Sequence, residues 1–273
     1  MTKTIVLKLG GEIVQSPELD LIAADLRGLV EGFHRVAIVH GGGPQASALQ
    51  ERLGLAPRKI AGRRYTDPET LEVMKYVVAG QLNVDLCARL LARGVMPVGL
   101  HGASGHMVQS RRMAPKVLQG AGPDPVDLGL VGEVTGFNLP LLGDLFERRY
   151  VPVLACLGCD AQGQALNING DTVASQLAGA LRADALVLVT STPGVLRDVK
   201  DPQSRIPRIT RAEFERLVAE GTISGGMIPK LEESFAVLAG GARSVVILGK
   251  LAPGDLVRAV LQPGSAGTVL EAA

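Results

Sequence analysis

Thr4-Ile5-Val6-Leu7-Lys8-Leu9-Gly10-Gly11 sets how the rest of the chain is read. Thr4–Leu9 is almost wholly apolar and rich in strand formers, as in a parallel sheet covered on both faces. With a period of two, Ile5, Leu7 and Leu9 share one face while Val6 and Lys8 share the other. An ammonium therefore sits among apolar neighbours at the strand's carboxyl end, where burial is costly without an anionic partner. The glycine pair that follows lets backbone N–H groups approach an anion closely.

Similar runs recur at Arg35–Val39, Val95–Leu100, Val151–Ala155, Ala185–Thr190 and Ser244–Leu248. Helical periods lie between them: Leu19, Ile22, Leu26 and Leu29; Leu71, Met74 and Val78; Val173, Leu177 and Leu181; Phe214, Leu217 and Val218; Leu231, Phe235 and Leu238. Thr66-Asp67-Pro68-Glu69 reads as a helix start, with a capping oxygen, proline in the first turn and an acid at the positive end. Strand–helix alternation predicts an α/β fold, a three-layer αβα sandwich with right-handed crossovers. Its mainly parallel central sheet is expected to be shared by two lobes, since no flexible linker interrupts the chain. Gly102 to about Thr135 breaks the rhythm and reads as a hairpin insertion; Val199–Pro207 reads as a polar surface connection. Ligands in such sheets bind at the carboxyl ends of the strands.

The balance of 28 Lys+Arg against 27 Asp+Glu in 273 residues gives a formal charge of +1, so no whole-chain electrostatic footprint for nucleic acid exists. No apolar run approaches a membrane span and the start lacks a secretory leader, so a soluble cytoplasmic protein is expected. Cys87, Cys156 and Cys159 cannot all pair. Cys156-Leu-Gly-Cys159 has redox or half-zinc spacing, but no second ligand pair accompanies it, and small buried residues are the favoured reading.

Chemistry gathers at strand ends. His40-Gly41-Gly42-Gly43-Pro44 puts three glycines between a strand and a helix, an anion-binding nest at a helix N-terminus. It is neither a Walker loop nor a dinucleotide fingerprint. His40 reads as a catalytic base or, preferably, as a packed histidine. Gly62-Arg63-Arg64 offers a guanidinium fork suited to a carboxylate, or a solvated arginine pair. In Asn167-Ile168-Asn169-Gly170-Asp171, Asn169 or Asp171 could cap the next helix or face a ligand. Ser224-Gly225-Gly226-Met227-Ile228-Pro229-Lys230 places a cation in a helix's first turn, unfavourable unless an anion lies nearby.

Taken together, these ordered motifs resemble the amino-acid kinase family, in register from about Thr4 to Leu270, most closely its branch acting on N-acetyl-L-glutamate. Thr70-Leu71-Glu72, Leu128-Gly129 to Gly132 and Gly267-Thr268 add to the likeness. The resemblance implies transfer of the ATP γ-phosphoryl group to the side-chain carboxylate of N-acetyl-L-glutamate, on the route to arginine. It implies catalytic roles for Lys8, Lys230 and Asp171: the lysines flank the migrating group, and Asp171 orients both. Gly42 and Gly43 would bind substrate and phosphoryl oxygens, Arg64 and Asn167 would hold the acceptor, and Gly10 and Gly11 would bind ATP. Magnesium would ride on the nucleotide phosphates, with no protein metal site. Residues 1–170 would form the acceptor-binding and dimerising lobe, and 171–273 the ATP-binding lobe.

Departures from the family pattern qualify this. Ser191 stands where relatives carry Asp, and Ala103-Ser104 where they often carry Lys-Asp. The short stretch before the first strand, with the Pro253-Gly254-Asp255 and Gln262-Pro263-Gly264 segments, leads to the expectation of an arginine-insensitive homodimer. Two alternatives stand. One is a carrier-protein-linked aminoadipate kinase of lysine synthesis, with Arg111, Arg112 and Lys116 facing an acidic carrier. The other is a nucleotide-binding regulator without catalysis.

Overall fold

The computed structural model describes residues 1–118, 120–225 and 227–272. Eight strands form the main sheet in the order Arg208–Thr210, Thr268–Glu271, Val245–Gly249, Ala185–Thr190, Thr4–Leu9, Arg35–His40, Val151–Ala155 and Pro97–Leu100. The last six in that order run parallel, whereas Thr268–Glu271 lies antiparallel to Val245–Gly249 and carries Arg208–Thr210 parallel to itself. Thr4–Leu9 is central: Lys8 is registered between Leu188 and Val39, and Leu9 beside His40. Every residue of Thr4–Leu9 except Thr4 and Lys8 is buried, as an apolar strand covered on both faces requires.

Helices cover both faces. Glu18–Glu31 buries Leu19, Ile22, Ala23, Leu26 and Leu29 and packs on one side with Asn83–Leu91 and Asp255–Leu261. Gly170–Ala180, burying Val173, Ala174, Leu177 and Ala178, packs on the other with Met227–Ala239. One apolar cluster runs continuously from Ile5 to Leu270, so the core is shared along the sheet. Polar ties act across it too. Asp25 accepts from the Gly254 and Leu256 amides, each at 2.9 Å, and Lys3 Nζ donates to the Val260 carbonyl at 2.6 Å, matching charge to both ends of helix Asp255–Leu261.

The expected insertion is a hairpin. Val108–Arg112 pairs antiparallel with Gly132–Phe137, and Leu157–Cys159 and Ala165–Asn167 extend it to a four-stranded sheet. A small cluster of Met113, Leu118 and Leu128 fills its base. The helical run that begins at Pro68 departs from expectation: Lys75–Leu82 winds as a π-helix between α-helices Pro68–Met74 and Asn83–Leu91. Such a widened turn is uncommon and frequent near functional sites. Here it carries Val78 and Leu82 against the second glycine loop.

Candidate active site

Two glycine loops meet at the carboxyl end of the sheet, and their side chains explain why glycine is needed. A Cβ on Gly11 would lie 2.4 Å from Gln45 Oε1 and 3.1 Å from the Gly42 Cα, so the loops touch backbone to backbone. A Cβ on Gly42 would lie 2.5 Å from Leu82 Cδ1 and 3.0 Å from Val78 Cγ2 of the π-segment. Gln45 laces the loops together, its Nε2 donating to the Gly11 carbonyl and to Gln15 Oε1, both at 2.9 Å. Gly10 and Gly42 are the N-cap residues of helices Gly11–Val14 and Gly43–Arg52, which aims free amides into the gap.

Those loops open into a cavity of about 1230 Å³, above the ~300–1,000 Å³ usual for one small ligand and roomy enough for two reactants side by side. Lys8, Gly10, Gly11, Gly42, Gly43, Arg64, Asn167 and Asp171 all line it. Lys8 Nζ lies 3.0 Å from Asp171 Oδ1, with the lysine 18% exposed and the aspartate 49%. The anionic partner that a near-buried strand lysine requires is thus supplied from helix Gly170–Ala180. The capping ambiguity resolves cleanly. Asn169 caps that helix, its Oδ1 accepting from the Asp171 amide at 2.7 Å, which frees the Asp171 carboxylate for Lys8.

Arg64 is drawn inward. Its Nη2 donates to the Gly43 carbonyl at 2.8 Å and to Ser47 Oγ at 2.7 Å, and its Nη1 to Gln50 Oε1. Burial pulls the guanidinium below its ordinary value. Three of its five N–H donors are engaged within the protein, leaving two for a ligand. Asn167, buried, donates to Thr66 Oγ1 at 3.0 Å.

Lys230 does not line the cavity wall. It projects half-buried from the first turn of helix Met227–Ala239. Burial lowers its pKa most, and the charge of Lys8 lowers it further, while Asp171 and Glu12 raise it. Among the described residues only Lys8 is ion-paired with Asp171. Gly226, in the same Ser224–Lys230 stretch of sequence, lies outside the described residues.

Other expectations sort themselves by burial. His40 is fully buried, with Nδ1 3.0 Å from the Gly41 carbonyl and Nε2 3.0 Å from Asn83 Nδ2. Asn83 donating to Nε2 puts the proton on Nδ1, a neutral tautomer whose pKa burial depresses. The packed-histidine reading holds. Cys156 and Cys159 are buried free thiols, and burial pushes Cys156 up to about 11. Among the described residues no group of three or more His, Cys, Asp or Glu could hold a metal. Ser191 lies exposed in the turn after Ala185–Thr190 and away from the cavity wall.

Several contributors escaped the sequence reading: Glu12 on the cavity wall, Gln45, and the Ser47–Gln50 seat of Arg64. Gln50 carried a faint signal, a long polar side chain on the helix face that includes Ala46.

Comparison with known proteins agrees with this arrangement. A protein of Anaeromyxobacter dehalogenans (strain 2CP-C) named acetylglutamate kinase is 87% identical over 98% of this chain and all of its own length. One of the same name from Sorangium cellulosum is 58% identical, covering 98% of this chain and 95% of that protein. Among solved structures, the N-acetylglutamate synthase of Neisseria gonorrhoeae, complexed with coenzyme A and N-acetyl-glutamate, superposes with a TM-score of 0.81 at 22% identity. That alignment covers 99% of this chain but spans only 60% of the synthase. Seven of the eight main-sheet strands, the paired glycine loops and the lysine–aspartate pair fall within residues 3–249, which match the amino acid kinase family, and the chain belongs to that family.

Proposed function

We propose that the chain transfers the γ-phosphoryl group of ATP to the side-chain carboxylate of N-acetyl-L-glutamate, giving N-acetyl-L-glutamyl 5-phosphate and ADP in arginine biosynthesis. The observation that carries this reading is likeness over nearly the whole chain to proteins named acetylglutamate kinase, 58% and 87% identical. The chemistry suits the residues present. A carboxylate acceptor, with a reference pKa near ~4.3, is already ionised at neutral pH, so no general base is needed. A carboxylate oxygen bonds to phosphorus as the bond to the ADP oxygen breaks, and no proton moves. Such a transfer depends on in-line positioning and on neutralising spread negative charge.

In this reading Lys8 and Lys230 stabilise the migrating phosphoryl group, and Asp171 orients both ammonium groups. The amides of Gly10 and Gly11 receive nucleotide phosphate oxygens. Those of Gly42 and Gly43 receive the transferring group and the acceptor carboxylate. Arg64, through its two remaining N–H donors, and Asn167 hold the other end of the acceptor. A magnesium ion would be held by the nucleotide's own phosphates. Such an ion supplies charge neutralisation to the phosphates. Residues 1–170 carry the acceptor side of the cavity and 171–273 the nucleotide side. Exposed Tyr76, Val84 and Leu91 along one helical run supply apolar surface suited to a homodimer.

The carrier-linked aminoadipate alternative is not favoured. Arg111, Arg112 and Lys116, its basic feature, are partnered within the hairpin by Glu133 and Asp127. ADP release measured with N-acetylglutamate, N-acetylaminoadipate, glutamate, aspartate, carbamate and uridylate tests the reading. Selective turnover of N-acetylglutamate is expected. Turnover of another acceptor, or nucleotide binding with no turnover at all, replaces it.

A further inference from the structure

Gln50 is a long polar side chain in a buried place. It is 1% exposed, on the face of helix Gly43–Arg52 that also buries Ala46, and that helix packs against helix Pro68–Met74. Both ends of its amide are used. Nε2 donates to Thr70 Oγ1 at 3.0 Å, and Oε1 accepts from Arg64 Nη1. A guanidinium can only donate, so Arg64 must face the oxygen of Gln50, and the nitrogen is left for Thr70. Thr70 is fixed in turn, because its backbone amide donates to Asp67 Oδ1, the helix cap, at 2.8 Å. Asp67, Thr70 and Gln50 thus form a row of anchored groups that ends on Arg64.

The unusual feature is charge. Arg64 is half-buried on the cavity wall, yet its partners are the Gly43 carbonyl, the Ser47 hydroxyl and the Gln50 amide oxygen. All three are neutral, and among the described residues Arg64 enters no ion pair. Drawing a cation partly out of water without a counter-ion is costly, and burial holds this guanidinium below its ordinary value. A glutamate in place of Gln50 has the same length and could satisfy the same neighbours, with the Thr70 hydroxyl donating where it now accepts. It would also cancel the charge. Glutamine holds the guanidinium in place and leaves its charge standing.

We propose that Gln50 is a positioning residue for the acceptor. Locked by Thr70, it fixes Arg64 through a neutral oxygen, so that the cation's charge and its two unused N–H donors remain for the α-carboxylate of the incoming substrate. The proposal rests on the phosphotransfer reading of this cavity, in which Arg64 holds the acceptor.

Kinetics of Gln50→Glu beside wild type test it on the intact protein. The new carboxylate pairs with Arg64, so the thermal midpoint is expected to hold. KM for N-acetylglutamate is expected to rise at least ~10-fold, about the worth of a charge-assisted hydrogen bond. kcat at saturating acceptor and KM for ATP should stay near wild type, the pattern of lost ground-state holding. N-acetyl-γ-aminobutyrate, which is N-acetylglutamate without the α-carboxylate, serves as a competitive inhibitor. Its inhibition constant should be alike in the two proteins, whereas a role confined to packing moves both constants together or neither. Gln50→Met fills the same space with no oxygen for Arg64, and carries the test if the buried carboxylate prevents folding. It should show the same split between the two constants, with a lower midpoint. An unchanged KM for N-acetylglutamate, or a rise matched by the inhibitor, overturns the proposal alone. Wild type that neither binds nor phosphorylates N-acetylglutamate overturns the phosphotransfer reading, and the proposal with it.

Discussion

Lys8 and Lys230 are held in opposite ways. Lys8 stands on the central strand, with parallel neighbours on either side, and is bonded at 3.0 Å to an aspartate one residue into a helix. Lys230 extends from a first helical turn beside a glycine segment, and among the described residues it makes no ion pair. One cation is fixed before any ligand arrives; the other extends from its helix without such a partner among the described residues. The difference teaches that a pair of charges proposed for one transition state need not be preorganised equally. The largest expected effect breaks or confirms this asymmetry. Lys8→Ala is expected to lower kcat by at least ~10²-fold, as for other oriented charges at a transition state. Lys8→Arg should recover little, because the fork of a guanidinium does not fit the slot filled by a single ammonium. Lys230→Arg, free of that slot, should recover more. Equal recovery in the two arginine variants, measured as kcat with saturating substrates, would erase the contrast.

Packing draws a second contrast within one loop. A methyl group on Gly42 meets Leu82 and Val78 at 2.5 and 3.0 Å, whereas one on Gly43 meets nothing within 4 Å. Gly42→Ala is therefore expected to cost about 1–3 kcal/mol by overpacking, read as a lower urea midpoint at unchanged m. Gly43→Ala should leave the midpoint nearly in place, whatever it does to turnover. An unchanged midpoint for Gly42→Ala would mean that the π-segment yields and does not brace the loop.

The sequence showed the sheet better than it showed the site. Thr4–Leu9, Val151–Ala155 and Ala185–Thr190 were legible to the residue because strands buried on both faces leave an unbroken apolar run. Lys8 stood out by the same logic, as the one charge inside such a run, Arg35 standing at the outer end of its own. Short edge strands such as Arg208–Thr210 and Thr268–Glu271 carry too few residues to show a period. The π-helix was invisible, since Val78 continues the spacing of Leu71 and Met74 as an α-helix would. Glu12 was hidden for another reason: an exposed acid in a first turn is ordinary helix chemistry, and only its fold over Gly10 makes it unusual. Arg64 was found as a cation, but its seat among Gly43, Ser47 and Gln50 depends on a helix packed from elsewhere in the chain.

The smallest expected effect concerns two neighbours whose roles the sequence left interchangeable. Asn169 and Asp171 both suit the start of helix Gly170–Ala180, and either oxygen could satisfy an unpaired amide there. Asn169 does so, accepting from the Asp171 amide at 2.7 Å, while the Asp171 carboxylate turns to Lys8. Removing a cap typically costs about 1 kcal/mol, so Asn169→Ala is expected to lower the thermal midpoint by a few degrees and turnover only modestly. Asp171→Asn should do the reverse, sparing the midpoint while collapsing turnover, because it strips Lys8 of its counter-charge and leaves the cap in place. Thermal unfolding and kcat measured on the same two preparations decide the matter. If Asn169→Ala lost activity as steeply as Asp171→Asn, the helix start and the lysine pair would have to be one mechanical unit, and the separation between a capping residue and a charge-holding residue two positions later would be lost.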